Sequence, residues 1–439
     1  MPDTAPTRLR ADVAIVGAGP AGIAAAVHAA GAGRRVVVLD ASPRAGGQIW
    51  RHQHRESLPA VARQWLNRFD RCGATFLSGA SVVDASPGAR LGAEQQGRAV
   101  TIEADAVILA TGAQELFLPF PGWTLPGVVG VGGAQALLKA GMDVRGKRVA
   151  VVGSGPLLLP VAAALARAGA DLRMVAEQAP PDAVRRFALS LWRTPSRLAQ
   201  AAAYRSAFLS VRYRWGTWVR AVVELNGELI VTYTTGRSTW AEPVDLLCTA
   251  SGLVPSTELA RLLGCAVLDG HVVVDDFQQT SLPSIYAAGE PTGNTGMEAA
   301  VVEGTIAGLA AAGPATAGQR GSGAVEHLQA ERAKHRRFAE RAAVAFQLRP
   351  ELRDRVEPDT IVCRCEDVPL SALHPDWSAR EAKLTSRAGM GSCQGRICGP
   401  AMQHLFGVGA DSVRVPLTPT SLGVLADLTS SLDDSEGAP

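Results

Sequence analysis

The strongest constraint on the fold lies near the amino end of the chain. Residues 12–16 (DVAIV) form an apolar β-rich run that leads into Gly17-Ala18-Gly19-Pro20-Ala21-Gly22. An alanine-rich stretch then continues to Gly33, and VVVLD (36–40) closes the segment at Asp40. Strand, glycine turn, helix and buried strand make a βαβ unit. Each glycine has a physical task. The first permits a tight turn, the second admits a pyrophosphate close to the backbone, and the third brings helix and strand together. The helix N–H groups then face the phosphate charge. Asp40, with Ala41 after it, stands where a carboxylate accepts ribose hydroxyls, and it favours a free 2′-OH over a 2′-phosphate.

A second unit repeats the pattern. RVAVV (148–152) runs into Gly153-x-Gly155, and Glu177 ends the following strand, but Leu158 stands where glycine or alanine is expected. A leucine there should push the helix from the sheet or fill part of the crevice. The second loop is therefore either a nucleotide site, with NAD or ATP as its ligand, or a scaffold that has lost its nucleotide. Further apolar strands end in glycine turns at 106–112, 245–252 and 284–290. At 439 residues, with 46 glycines and 47% hydrophobic residues, the chain suits an α/β protein of several domains. The expected architecture is tandem Rossmann-like dinucleotide-binding domains, the second inserted in the first. Residues 10–145 and 245–320 form the first domain and 146–244 the second. A helical linker spans 321–358, a small helical cysteine domain 359–428, and a polar, disordered tail 429–439.

Seven cysteines divide into two sets. Cys72, Cys248 and Cys265 lie far apart in sequence and read as small buried apolar residues, which leaves them no closely spaced pair for thiol–disulfide chemistry. Cys363 and Cys365 are separated by one residue, and Cys393 and Cys398 by four. Four thiolates suit zinc or an iron–sulfur cluster. The surroundings favour the cluster: Gly389, Gly391, Gly395 and Gly399 let backbone N–H groups approach sulfides, and Lys383, Arg387 and Arg396 add positive charge. A helix beginning near Pro400 would aim its N-terminus at the same place.

The wording around these cysteines resembles the bacterioferritin-associated-ferredoxin-like [2Fe–2S] domain, in the version fused to certain flavoproteins. These are the α subunits of the opine oxidase, hydrogen cyanide synthase and D-hydroxyproline or proline dehydrogenase group. GAGPAG, GGQI, ATGAQE, residues 118–128 (LPFPGWTLPGV), GGAQ (132–135) and DTIVCRCEDV (359–368) carry the likeness, which covers roughly residues 10–425. Gly46-Gly47-Gln48 and Ala110-Thr111-Gly112 resemble turns that disulfide-reductase-like flavoproteins place at their dinucleotide. The resemblance implies FAD, or another adenine nucleotide, in the first site. Those flavoproteins usually end the late strand in Gly-Asp, whereas this chain has Gly289-Glu290, so the ribityl contact differs. The resemblance further implies a β subunit of the FAD-dependent amino-acid-oxidase type, FMN where the subunits meet, and a small ferredoxin-like γ subunit. The chain itself would relay electrons through flavin and cluster, with no catalytic acid or base of its own. Two rival readings stand: a self-contained NAD(P)H reductase, and an assembly scaffold.

The remaining features narrow partners. A net charge of +2 gives no strong attraction to nucleic acid. No apolar run is long enough for a transmembrane helix, and the amino end lacks a secretory pattern, so cytoplasm is expected, with peripheral contact at the inner membrane as an option. His52 and His54 read as surface or cofactor-rim residues. Residues 183–223 hold eight arginines, no acids and several aromatics. That composition fits partner docking, a membrane surface or a solvated basic face.

Overall fold

A computed structural model describes residues 7–86, 88–313, 323–409 and 413–436. The chain divides into two compact units, one drawn from 1–114, 255–339 and 412–439, the other from 115–254 and 340–411.

The first unit begins with β1 (Thr7–Val16), α1 (Pro20–Gly31) and β2 (Val36–Asp40). Helix α2 (Ala60–Arg71) precedes β3 (Thr75–Ser78), and β4 (Ala80–Ser86), β5 (Arg90–Gln95) and β6 (Arg98–Leu109) follow. The sheet order is β3-β2-β1-β6-β5-β4, with the late strand Ile285–Ala287 also pairing β6. β3, β2, β1, β6 and the late strand are parallel neighbours, whereas β4–β5 and β5–β6 are antiparallel. The end of β1 (residues 13–16) and most of β2 are continuous buried apolar runs because helices cover the parallel part of the sheet. Helix Met297–Ala311 packs on α1 with backbone against backbone. A Cβ on Gly304 would fall 2.1 Å from the Ala21 carbonyl oxygen, and one on Gly308 2.4 Å from that of Ala25.

The second unit holds β7 (Val128–Gly130), α3 (Val131–Lys139), β8 (Arg148–Gly153), α4 (Leu158–Arg167) and β9 (Asp171–Glu177). After two helices, α5 (Pro181–Ser190) and α6 (Pro195–Arg205), come β10 (Arg212–Trp215), β11 (Trp218–Leu225), β12 (Glu228–Thr234), β13 (Thr239–Val244) and β14 (Leu246–Ala250). A parallel sheet runs β10-β9-β8-β14-β7, and β11-β12-β13 form an antiparallel ribbon. The two sheets thus have the tandem dinucleotide-binding architecture expected from the two glycine loops.

Domain limits differ from the sequence expectation. Residues 128–139 fell within the expected first domain (10–145), and 246–250 within its second segment (245–320). Hydrogen bonding puts residues 128–130 and 246–250 in the second sheet, because β14 pairs with β8 on one side and β7 on the other. The insert accordingly covers 115–254 rather than 146–244. The carboxyl end differs too. The helix Leu422–Glu436 runs through most of the stretch expected to be a disordered tail, 429–439. Val424 and Leu428 are buried in one cluster with Val83 and Ala99, and this anchor lets the next turns form. Residues 437–439 lie outside the described residues.

Candidate functional site

The first glycine loop is shaped by close approaches. Gly17 sits at φ +105°, and a Cβ on it would lie 2.1 Å from the Ala110 carbonyl oxygen. A Cβ on Gly22 would lie 1.8 Å from the Gly17 oxygen. Gly19 is different: a Cβ there would meet nothing nearer than Gly47 Cα at 3.9 Å, so its bareness leaves open approach to the backbone. Pro20 occupies the first turn of α1, where its missing N–H costs nothing. Asp40 accepts the Ala18 N–H at 2.6 Å on one carboxylate oxygen and the Ser42 N–H at 2.7 Å on the other. It remains partly exposed beside exposed Ala41, and each oxygen keeps lone-pair capacity for a ribose hydroxyl.

The other expected pieces gather around the same loop. The Gly46 N–H donates to the Ala18 oxygen at 2.7 Å, which seats Gly47 against Gly19, with Gln48 exposed beside it. Ala110 is buried behind Gly17, the Thr111 hydroxyl donates to the Ser256 oxygen at 2.6 Å, and the Gly112 oxygen accepts the Ser256 N–H at 3.0 Å. Gly289 has φ +80°, and a Cβ there would lie 3.0 Å from that of Ala21.

Glu290 follows, with one carboxylate oxygen accepting the Gly296 N–H at 3.3 Å. The other is buried without a hydrogen-bond partner. An unsatisfied buried acceptor is costly, and a cofactor hydroxyl would satisfy it. Burial, reinforced by the nearby Glu303 charge, pushes the Glu290 carboxyl up to about 7. Without cofactor the folded chain therefore holds a proton there that the unfolded chain releases near 4.5. The associated stability is complete below that pH and is lost as pH rises through about 7. Urea unfolding of the apoprotein at pH 5 to 8 should show this decline, and Glu290→Gln should flatten it by about 2 kcal/mol.

Glu303 was not foreseen. It is fully buried and accepts the Gly289 N–H and the Thr292 hydroxyl, each at 2.9 Å, with Arg336 3.5 Å away. It fastens the turn that presents Glu290. An acid in the middle of the apolar run MEAAVVEGTIAGLAA, away from its first turn, is the signal that could have revealed it.

The second loop looks alike locally and differs in its surroundings. A Cβ on Gly153 would lie 2.0 Å from the Ala250 oxygen, while Gly155, at φ +95°, has open space. Leu158 packs inward between helix and sheet instead of projecting into the crevice. It is fully buried in the cluster that includes Val131, Val149 and Val161. Glu177 accepts the Gly155 N–H at 2.7 Å and the Ala179 N–H at 2.8 Å. It is 0% exposed, and burial pushes its carboxyl up to about 7 against those two donors. Glu115, also unforeseen, caps α3 by accepting the Gly132 and Gly133 N–H groups at 2.7 and 2.9 Å.

The four late cysteines come together two by two. Cys363 is in side-chain contact with Cys398, and Cys365 with Cys393. Cys363 and Cys398 are buried, Cys393 is half-buried and Cys365 is exposed. Glycine is required at 391, where a Cβ would lie 2.2 Å from that of Cys365. The contact with Cys398 pulls the Cys363 thiol down, helped by N–H donors from Gly389, Glu366 and Cys365. Arg387 is paired with Glu366 at 2.8 Å, and a helix starts at Cys398 itself. Among the described residues, no group of three or more His, Cys, Asp or Glu side chains is tight enough for one metal ion. Four thiols in two pairs, served by backbone donors, fit a centre in which two irons share four thiolates.

The family model described as pyridine nucleotide-disulphide oxidoreductase matches residues 11–307. The chain belongs to this family. The A subunit of opine oxidase from Agrobacterium tumefaciens (strain Ach5) is 32% identical, over 95% of this chain and 92% of its own. The HcnB subunit of hydrogen cyanide synthase from Pseudomonas aeruginosa is 32% identical, over 88% of this chain and 90% of its own. Among solved structures, L-proline dehydrogenase from P. horikoshii has the same fold at TM-score 0.63 and 19% identity, over 96% of this chain and 81% of that one. Thioredoxin reductase of T. acidophilum follows at TM-score 0.55 and 23% identity, over 69% and 98%. This member of the pyridine nucleotide-disulphide oxidoreductase family is an oxidoreductase related to HcnB and to the opine oxidase A subunit.

Despite the family's name, its cysteines form no disulfide: all seven are free thiols. Cys248 is fully buried and burial pushes its thiol up to about 12. Cys265 is buried, and the Cys72 thiol donates to the Phe69 oxygen. His52 bonds the Trp50 oxygen through Nδ1, and His54 is exposed. In the basic stretch, Phe187, Leu191, Phe208 and Trp218 are buried. Trp192 (71% exposed), Leu189 and Leu209 are open to solvent, and α6 buries no residue. No helix among the described residues is long and apolar enough to cross a membrane.

Proposed function

We propose that this chain is the electron-transfer (α) subunit of a heteromeric flavin-dependent amino- or imino-acid dehydrogenase, acting on an opine, D-hydroxyproline or proline, or glycine-type substrate. The observation that carries the reading is the coexistence of an open first glycine loop and two contacting thiol pairs in a relative of the opine oxidase A subunit. In this reading Gly17, Gly19, Gly22 and Asp40 hold the adenine end of FAD, and Glu290 accepts a hydroxyl farther along it. Cys363, Cys365, Cys393 and Cys398 hold a [2Fe–2S] cluster, which when bound accepts electrons singly where a flavin takes two. Of the expected domain 359–428, residues 359–409 act as the cluster-bearing segment, since the chain from 412 on belongs to the first unit. A β subunit of the amino-acid-oxidase type would take hydride from the substrate carbon that bears nitrogen, the N–H proton leaving separately, with FMN held where that subunit meets this chain and a small γ subunit completing the relay. Exposed Trp192, Leu189 and Leu209, among arginines, form the docking face, and the complex works in the cytoplasm or against the inner membrane.

The test is reconstitution. The purified chain alone should bind flavin and iron and leave amino acids unoxidised. Co-expression with the β-type flavoprotein should give dye-linked dehydrogenase activity. Robust amino-acid turnover by the lone chain would overturn the proposal, and flavin reduction by NADH within milliseconds would favour a self-contained reductase instead.

A further inference from the structure

The two glycine loops differ at two equivalent positions, and the difference decides what each crevice holds. In the first loop the residue between the leading glycines is Ala18 and the residue after the acid is Ala41. Neither side chain can form a hydrogen bond. In the second loop the same positions carry Ser154 and Gln178. These lie at the carboxyl ends of β8 and β9, where open α/β sheets receive their nucleotides.

Both side chains are spent on the chain's own backbone. The Ser154 hydroxyl donates to the Phe346 oxygen at 2.8 Å. The Gln178 amide donates to the Gln347 oxygen at 3.1 Å and to the Ser154 hydroxyl at 2.9 Å, while its oxygen accepts the Arg349 N–H at 3.2 Å. The Phe346 ring meets Phe187 edge-on at 5.1 Å, and the Arg349 guanidinium lies over Trp218 at 4.0 Å. The result is visible in exposure. Asp40 stays partly open, whereas Ser154 (7%), Glu177 (0%) and Gln178 (1%) are covered.

We infer that the second crevice is an internal docking site whose ligand is the chain's own segment 346–349, and that it takes neither a nicotinamide dinucleotide nor ATP. The segment's peptide groups stand against the two residues that would flank an adenosine ribose. A nucleotide could enter only by breaking these hydrogen bonds and an aromatic contact. The fold's second half then serves to hold the backbone that leads to Cys363, and electrons do not enter from NAD(P)H. The inference concerns the second unit alone and stands whether or not the cysteines hold iron.

The experiment uses the full chain with its first site saturated by FAD. NADH, NAD+ and ATP are titrated to about 1 mM, the upper end of common enzyme–substrate constants, while hydrogen exchange is followed at residues 153–156 and 346–349. The expected result is no saturable binding, with the Arg349 amide protected and unchanged by nucleotide. Saturable binding that alters exchange in either segment would overturn the inference. So would rapid exchange of the Arg349 amide in the untreated chain, because a segment that opens freely closes nothing.

Discussion

Cys398→Ser is expected to abolish iron binding in the anaerobically reconstituted chain and to lower dye-linked turnover of the assembled complex roughly 100-fold or more. Groups that merely support metal ligands cost up to about 100-fold when removed, so a ligand itself should cost at least that. The substitution also places a hydroxyl in a packed cluster with Val362, Ala388 and Met402, at a position 1% exposed. Lost stability and lost iron would then be confounded. Cys365→Ser separates them: Cys365 is exposed, so its replacement should remove iron and turnover with little change in Tm. Iron and acid-labile sulfide per chain, measured beside Tm, are the readouts. Zinc in anaerobically prepared wild-type protein, or full iron content in both variants, would defeat the assignment.

Gly17→Ala should lower Tm by roughly 10 °C and leave the chain unable to retain flavin. Two costs combine. The left-handed backbone costs an alanine about 1–2 kcal/mol, and the added Cβ, 2.1 Å from the Ala110 oxygen, forces β1 from β6 at about 1–3 kcal/mol more. Gly33→Ala is the control. Gly33 also has positive φ, at +78°, but nothing lies within 4 Å of the added atom. It should cost only the first of these terms and keep the flavin. Equal losses in the two variants would mean that backbone conformation, not space, governs the loop.

Much of the first unit was legible because its signals are local. A glycine turn between strand and helix must look much the same wherever it occurs, and Gly17 and Gly19 indeed lie between β1 and α1, with Asp40 at the end of β2. Strand partnership is not local. Nothing in Val128–Gly130 or Leu246–Ala250 says which sheet will adopt it, and that is why the domain limits moved. The place Leu158 would take was hidden for a related reason. A large residue at the third glycine position obstructs only if helix and strand keep their usual spacing, and here the leucine became part of the core between them. Glu115, Glu303 and the segment 346–349 escaped notice because each acts on residues distant in sequence. The pairing of thiols was equally hidden, since spacing fixes which cysteines are neighbours along the chain and not which touch.

The carboxyl-terminal helix has a consequence for biosynthesis. The Leu417 N–H donates to the Val83 oxygen at 2.8 Å, and Val424 and Leu428 cover Val83 and Ala99. Strands β4 and β6, translated early, thus wait for almost the whole polypeptide to emerge before their apolar face is sealed. A ribosome-bound nascent chain with both glycine loops already formed would still display that patch, an opening for chaperone capture. Truncation before Leu417 should therefore send the product to the insoluble fraction, although every proposed cofactor contact remains encoded.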